Sequence, residues 1–241
     1  MHLLDLTLDS PAENIALDEA LLEACAAGEL GGVLRLWEAP SPMVVVGRGS
    51  RLLKEVNLDA CGAADVPVLR RASGGMSIVA GPGCLMYAVV DRQTGGKSNI
   101  DLVHQRVLDT LVAGFQQAGL AVARAGTSDL VVESTDGLLR KVSGNSLRLR
   151  QGAFLYHGTL LYDFDLPLIT RYLQQPPRSP DYRAGREHGQ FVANLPIGRE
   201  SLVAAVADAW HAREPLTNWP RSRTEQLVQT RYSTDAWNES R

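Results

Sequence analysis

The sequence predicts an α+β domain, on three observations. Segments of strand period and helix period alternate from the N-terminus onward, no repeat or low-complexity tract interrupts them, and 241 residues at 45% hydrophobic and 21% charged composition can bury a sizeable core. Residues 11–28 begin with a proline after Ser10, carry acidic residues early, repeat apolar side chains at helical spacing (Ile15, Leu17, Ala20, Leu21, Leu22) and stop at Gly28, which predicts an amphipathic helix. Residues 33–39 alternate apolar and polar side chains and 43–47 are a β-branched run ended by Gly47, so two strands follow. A short helix over 57–64 leads to strands at 66–71, 76–80 and 84–90, with glycine turns at their junctions. Residues 101–118 place Leu102, Val107, Leu108, Leu111, Val112 and Phe115 on one face, a second helix that covers the sheet and carries His104 as a partly exposed residue. Strands are predicted at 129–134, 140–151 and 153–165, the last two joined through Gln151-Gly152, and a helix at 166–173. The proline-, glycine- and arginine-rich stretch 176–191 reads as a loop long enough to act as a lid, and 201–213 and 224–233 return to helical period.

Charge and cysteine usage exclude several functions. With 24 basic against 27 acidic side chains the net charge is -3, too balanced for nucleic-acid or membrane binding by bulk field. The longest apolar run falls far short of the ~20 residues of a membrane span, and the N-terminus has no signal-like pattern, so a cytoplasmic location is expected. Cys25, Cys61 and Cys84 are odd in number and lack CxxC spacing, which predicts reduced, mainly buried thiols rather than a disulfide framework or a zinc site.

Four places could carry chemistry. In RRASGG (70–75) two arginines end a strand and Ser73-Gly74-Gly75 make a turn without bulk, a pattern that suits either an anion site or a plain hairpin with surface arginines. In RKVSGNSLR (140–148), Lys141 opens a strand whose internal Gly144 signals a bulge or a close backbone approach, so the lysine reaches an anion as a point charge or faces solvent. His157, beside Gly158 in the next strand, lines a cavity or sits in the core, and Asp129 before an apolar strand holds a metal or caps a turn. Cys84 begins an apolar strand and reads as buried and inert. No Walker loop, GxGxxG or GxSxG motif is present.

Taken in order, NIALDEALLE (14–23), LRLWEAPSPMVVVGRGS (34–50), RRASGG (70–75), GTSDLVV (126–132), KVSGNSLR (141–148) and HGTLLYD (157–163) resemble the lipoate-protein ligase A branch of the biotin/lipoate ligase and octanoyltransferase superfamily. The resemblance implies a central mixed β-sheet flanked by helices, the class II aminoacyl-tRNA synthetase and biotin synthetase type of catalytic domain, as a single domain over 1–241. It also implies ATP-dependent activation of lipoate, or octanoate, to an acyl-adenylate and transfer to a lysine of a lipoyl-domain protein, either a 2-oxoacid dehydrogenase E2 or a glycine cleavage H protein. On this reading Lys141 is catalytic. Arg70, Arg71, Gly75, Met76, Ser77, Ile78, Val79, Lys141 and Ser146 hold the nucleotide, and Asp129 places Mg²⁺. Ser73, Gly74, Gly75, Val142, Ser143, Gly144, His157 and Gly158 form the acyl pocket.

The sequence departs from the family pattern at three places. Met76 stands for a third glycine, Ala80-Gly81 for a His-Asp pair, and Ser128 for an asparagine. The ending RYSTDAWN (231–238) resembles the family's element that leads into a C-terminal accessory domain; the chain stops there, so a separately encoded accessory protein is expected. The rival readings are an octanoyltransferase working through a cysteine thioester with acyl carrier protein as donor, and a non-catalytic binder of lipoate or of a lipoyl domain. Neither 126–140 nor 165–190 contains cysteine, so the transferase would have to recruit Cys84. The RxGR-type loop and KxGG-type strand of biotin ligases are absent.

Overall fold

The computed structural model describes residues 1–93, 100–150 and 152–240. The chain runs β1 (His2–Asp5), α1 (Pro11–Ala27), β2 (Val33–Glu38), β3 (Met43–Val46), α2 (Leu52–Glu55), α3 (Leu58–Ala63), β4 (Val68–Arg70), β5 (Ile78–Ala80), β6 (Cys84–Arg92), α4 (Ile100–Gln117), β7 (Val122–Ala125), β8 (Asp129–Glu133), β9 (Leu139–Arg150) and β10 (Ala153–Leu161). It continues through α5 (Pro167–Tyr172), a 3₁₀ turn (Asp181–Arg183), α6 (His188–Phe191), α7 (Arg199–Ala209), β11 (Glu214–Pro215), α8 (Arg221–Leu227), a π turn (Val228–Tyr232) and α9 (Asp235–Asn238). Eight strands form one mixed sheet in the order β11-β1-β2-β6-β10-β9-β8-β7, and β4-β3-β5 form a second, smaller sheet. This is the expected α+β architecture, a mixed sheet flanked by helices. No helix among the described residues is long and apolar enough to cross a membrane.

Local chemistry sets the first long helix. Ser10 Oγ accepts from the Glu13 amide and Glu13 Oε2 accepts from the Ser10 amide, both at 3.1 Å, a reciprocal cap that contributes about 1 kcal/mol. Gly28, at φ +80°, ends the helix in the left-handed conformation. The helix is not amphipathic as expected: Asn14 to Leu22, Ala24 and Cys25 are all buried, because α1 lies between β6 and β10 on one side and α8 with its π turn on the other. On α4 the buried stripe is Val103, Val107, Leu108, Leu111 and Phe115, while Leu102 is 61% exposed; the helix meets the sheet one position later than the sequence suggested. The short strands β1, β7 and β11, of which β7 and β11 are the sheet edges, and the helix α2 were not foreseen. The turn expected at Gln151-Gly152 lies outside the described residues at Gln151.

One topological result bears directly on the site. Strands β4 and β5 do not pair with each other: β4 runs parallel to β3 on one side and β5 antiparallel to it on the other. RRASGG is therefore a crossover between the two edges of a small sheet, not a hairpin tip.

Candidate active site

Strand β9 carries a bulge at the position where the lysine matters. Leu130 is opposite Ser143 but Val131 is opposite Lys141, so Lys141 and Val142 together face one residue of β8. Val142 is sealed in the apolar layer beneath α4 with Leu130 and Tyr156, while Lys141 turns to the other side and lines a cavity. Lys141 Nζ lies 2.8 Å from Asp129 Oδ1. Gly144 makes this possible, since a Cβ there would stand 2.8 Å from both Cε and Nζ of the lysine. Gly158 on β10 does the same for its neighbour, as a Cβ would collide with the Asn145 carboxamide and the Gly144 carbonyl. Asn145 is thereby pinned, donating to Ser128 O at 2.8 Å and accepting from Tyr87 Oη at 2.5 Å.

The two arginines of the crossover have different destinations. Arg70 is fully buried and donates to the carbonyls of Gly47 (2.8 Å), Ser50 (3.0 Å), Trp237 and Asn238, while Trp237 Nε1 donates back to Arg70 O. It braces the crossover against the C-terminal segment and does not line the cavity. Arg71 does line it. Its guanidinium spans the crossover, donating to Val45 O (3.1 Å), Gly74 O (2.5 Å), Met76 O (2.9 Å) and Ser73 Oγ (3.0 Å). Burial pushes Arg71 down to about 10, partly offset by the nearby Glu55 carboxylate, so it stays a cation at neutral pH. Glu55 also accepts from the Ser77 amide and hydroxyl at 2.9 and 2.8 Å.

Behind the cavity runs a buried polar relay. Ser73 Oγ is 2.6 Å from His157 Nε2, and His157 Nδ1 is 2.8 Å from Asp18 Oδ2, whose other oxygen takes Arg35 Nη1 at 2.6 Å. Burial, the largest influence, raises the Asp18 carboxyl, but the Arg35 guanidinium and the His157 ring outweigh it and hold it below its ordinary value. Asp18 thus remains an anion in the core and fixes the orientation of the His157 ring.

The cavity measures about 400 Å³. One part is apolar, from Ile15, Trp37, Val45, Ile78 and Met86; the other gathers Arg71, Asp129, Lys141, Asn145 and His157, and Arg178, Ser179 and Pro180 of the 176–191 segment close over it. Tyr182, from the same segment, donates to Asp129 Oδ2 at 2.8 Å. Of the residues expected here, Arg71, Gly75, Met76, Ser77, Ile78, Asp129, Lys141, Gly144, Ser146, His157 and Gly158 reach the wall. Ser73 and Ser143 stand behind it, bonded to His157 and Asn145; Val79 and Val142 point into the core, and Gly74 faces an adjoining groove with His104. His104 is half-buried, with Nδ1 3.0 Å from Tyr156 Oη.

Sequence reading missed Asp18, Arg35, Asn145, Arg178 and Tyr182. The signal for Asp18 was weak, one of several acidic residues in a helix that is otherwise rich in apolar side chains.

The wall carries no thiol. Cys25, Cys61 and Cys84 are all buried away from it, and burial raises the Cys84 thiol far above its ordinary value, with Glu38 adding to the shift. Among the described residues no group of three or more His, Cys, Asp or Glu side chains is arranged to hold a metal ion. Asp129 offers a single carboxylate, which fits Mg²⁺ bound through one protein ligand, waters and substrate phosphates rather than a dedicated cage.

Three comparisons bear on this site. A sequence model of the family described as "Lipoyl protein ligase A/B catalytic domain" matches residues 10–211. An octanoyltransferase LipM of Symbiobacterium thermophilum is 30% identical over 94% of this chain and 93% of its own length, and an Aeropyrum pernix protein provisionally named lipoate-protein ligase A is 35% identical over 87% of this chain and 74% of its own. Among solved structures, a bi-partite lipoate protein ligase described with its E2 lipoyl domain, from Thermoplasma acidophilum, superimposes with a TM-score of 0.83 at 22% identity, covering 99% of this chain and 95% of that one.

Proposed function

Because the chain belongs to the lipoyl protein ligase A/B catalytic-domain family, we propose that it is an ATP-dependent lipoate-protein ligase. The observation that carries this reading is the Lys141–Asp129 pair, laid across Gly144 beside an apolar cavity whose wall has no thiol. A cavity of this size suits a medium-chain acid, with the apolar residues taking the chain and the cationic part its carboxylate.

Activation joins a carboxylate oxygen to the α-phosphorus of ATP as the bond to the bridging oxygen breaks, and that electron pair leaves on pyrophosphate. Lys141 is placed to hold the carboxylate and the α-phosphate together and to neutralise charge there. Arg71 organises the crossover whose backbone from Gly75 to Ile78 lines the nucleotide side. Mg²⁺, when bound, shields the phosphates; Asp129 is the carboxylate that would hold it once Lys141 turns to substrate. The ε-amine of an acceptor lysine then attacks the acyl carbon, AMP leaves, and the amine loses a proton. The acceptor would be a lipoyl domain, of a 2-oxoacid dehydrogenase E2 or a glycine cleavage H protein.

Octanoyl transfer from a carrier protein is the second reading, favoured by the name of the Symbiobacterium relative. It needs a nucleophile for the acyl group, and the three cysteines of this chain all lie off the cavity wall. Lys141→Ala separates the ligase from a mere binder. Pyrophosphate release with lipoate, ATP and Mg²⁺ should fall by at least about 100-fold, with the fold intact because the lysine is partly exposed. Unchanged release would remove the mechanism.

A further inference from the structure

The ionisable residues of the cavity wall do not balance. Asp18 is matched by Arg35 at 2.6 Å and Asp129 by Lys141 at 2.8 Å. Arg71 spends its donors on carbonyls and Ser73, with Glu55 as its electrostatic counterweight. That leaves Arg178. It lines the cavity, is exposed, and has no hydrogen-bond or ion-pair partner among the described residues.

Its segment is nonetheless held firmly to the reacting side of the site. The Ala193 amide donates to Lys141 O at 3.0 Å, and Arg186 Nη1 donates to Leu139 O at 3.0 Å. Arg140 Nη1 returns a bond to Gln190 O at 3.1 Å, and Tyr182 Oη bonds the carboxylate that pairs with Lys141. Pro180 and the Tyr182 ring pack over Gly126, 3.4 and 3.5 Å from where a Cβ would stand, an ordinary contact distance. A guanidinium without a counter-ion, on a segment anchored at Lys141, is arranged to meet an anion brought by the substrate.

We propose that Arg178 is the second cation at the reacting phosphate, bonding the α-phosphate of the nucleotide from the side opposite the crossover, and that Tyr182 positions it through Asp129. This deepens the ligase reading and rests on it. As the carboxylate oxygen adds to the α-phosphorus and pyrophosphate departs, Lys141 and Arg178 share the developing charge. Neither forms a covalent bond.

The test is single-turnover pyrophosphate release with lipoate, ATP and Mg²⁺ in wild type, Arg178→Ala, Arg178→Lys and Tyr182→Phe, with thermal midpoints and a sodium chloride series alongside. Arg178→Ala should slow release by about 10- to 100-fold at an unchanged midpoint and flatten its salt dependence. Arg178→Lys should recover part of the rate, because the charge returns without the planar fork. Tyr182→Phe keeps the ring against Phe191 but loses the bond to Asp129, and should raise the ATP concentration needed for half the maximal single-turnover rate more than it lowers that rate. Release by Arg178→Ala within about twofold of wild type overturns the role of Arg178 and leaves the ligase standing. A wild type that releases no pyrophosphate ends both.

Discussion

Asp18→Ala tests whether the buried relay behind the cavity is an ion pair that the fold depends on. The substitution leaves Arg35, fully buried, without its carboxylate and His157 Nδ1 without an acceptor. Breaking such a pair from one side costs about 3–5 kcal/mol. Arg35 keeps bonds to Asn14 O (2.7 Å), Asn14 Oδ1 (2.8 Å) and Leu6 O (3.3 Å), which places the expected loss near the lower end, about 3 kcal/mol. For a chain of this length that is a fall in thermal midpoint of about 6–12 °C. Asp18→Asn keeps one acceptor oxygen and should lose less. The pH dependence gives an independent sign. The folded carboxyl lies below its ordinary value, so its contribution is complete above about pH 4 and is lost as pH falls through the lowered folded value. Urea titrations from pH 7 down to pH 3 should therefore show wild type and Asp18→Ala converging in acid. A variant within about 0.5 kcal/mol of wild type at pH 7, or a gap that persists in acid, would refute the reasoning.

Two further outcomes follow from the geometry. Gly144→Ala places a methyl 2.8 Å from Cε and Nζ of Lys141, so the lysine must shift from Asp129; pyrophosphate release should drop by about 10-fold or more with a stability change under about 1 kcal/mol, since only the end of a flexible side chain moves. Buried Cys84, its thiol pushed upward, should resist alkylation by iodoacetamide at pH 8 until the protein is unfolded, read by intact mass. Cys84→Ser should keep acyl transfer, and loss of transfer at wild-type stability would make that thiol the nucleophile.

Much of the site was legible from local sequence because its constraints are local. Gly144 inside a strand announces a close approach, and the lysine three residues earlier is what approaches. Asp129 opens the neighbouring strand at the position that faces Gly144. Val142, next to Lys141 in β9, faces the opposite side of the strand, into the core, while Lys141 goes to the cavity, and the bulge that sets this register leaves no mark in the composition. The buried place of Arg70 was hidden for a different reason: whether RRASGG turns back or crosses over depends on which strand lies between β4 and β5, a non-local fact. Asp18 and Arg35 meet across two elements, so neither spacing nor period reveals their pairing. Arg178 and Tyr182 sit in a segment of irregular backbone, where sequence carries no register. For the fold, long periodic elements such as α4 and β10 were clear, while β1, β7 and β11 are short strands fixed mainly by their partners.

The central claim is that acyl transfer by this protein is driven by ATP. Intact-mass analysis of an apo lipoyl domain tests it most directly, after incubation with the protein, lipoate, ATP and Mg²⁺, or with octanoyl carrier protein and no nucleotide, with an accessory-protein arm alongside. The account predicts a lipoyl mass shift with pyrophosphate release in the ATP arm and none from the carrier protein. Octanoylation from the carrier protein, without nucleotide and without pyrophosphate, would contradict it.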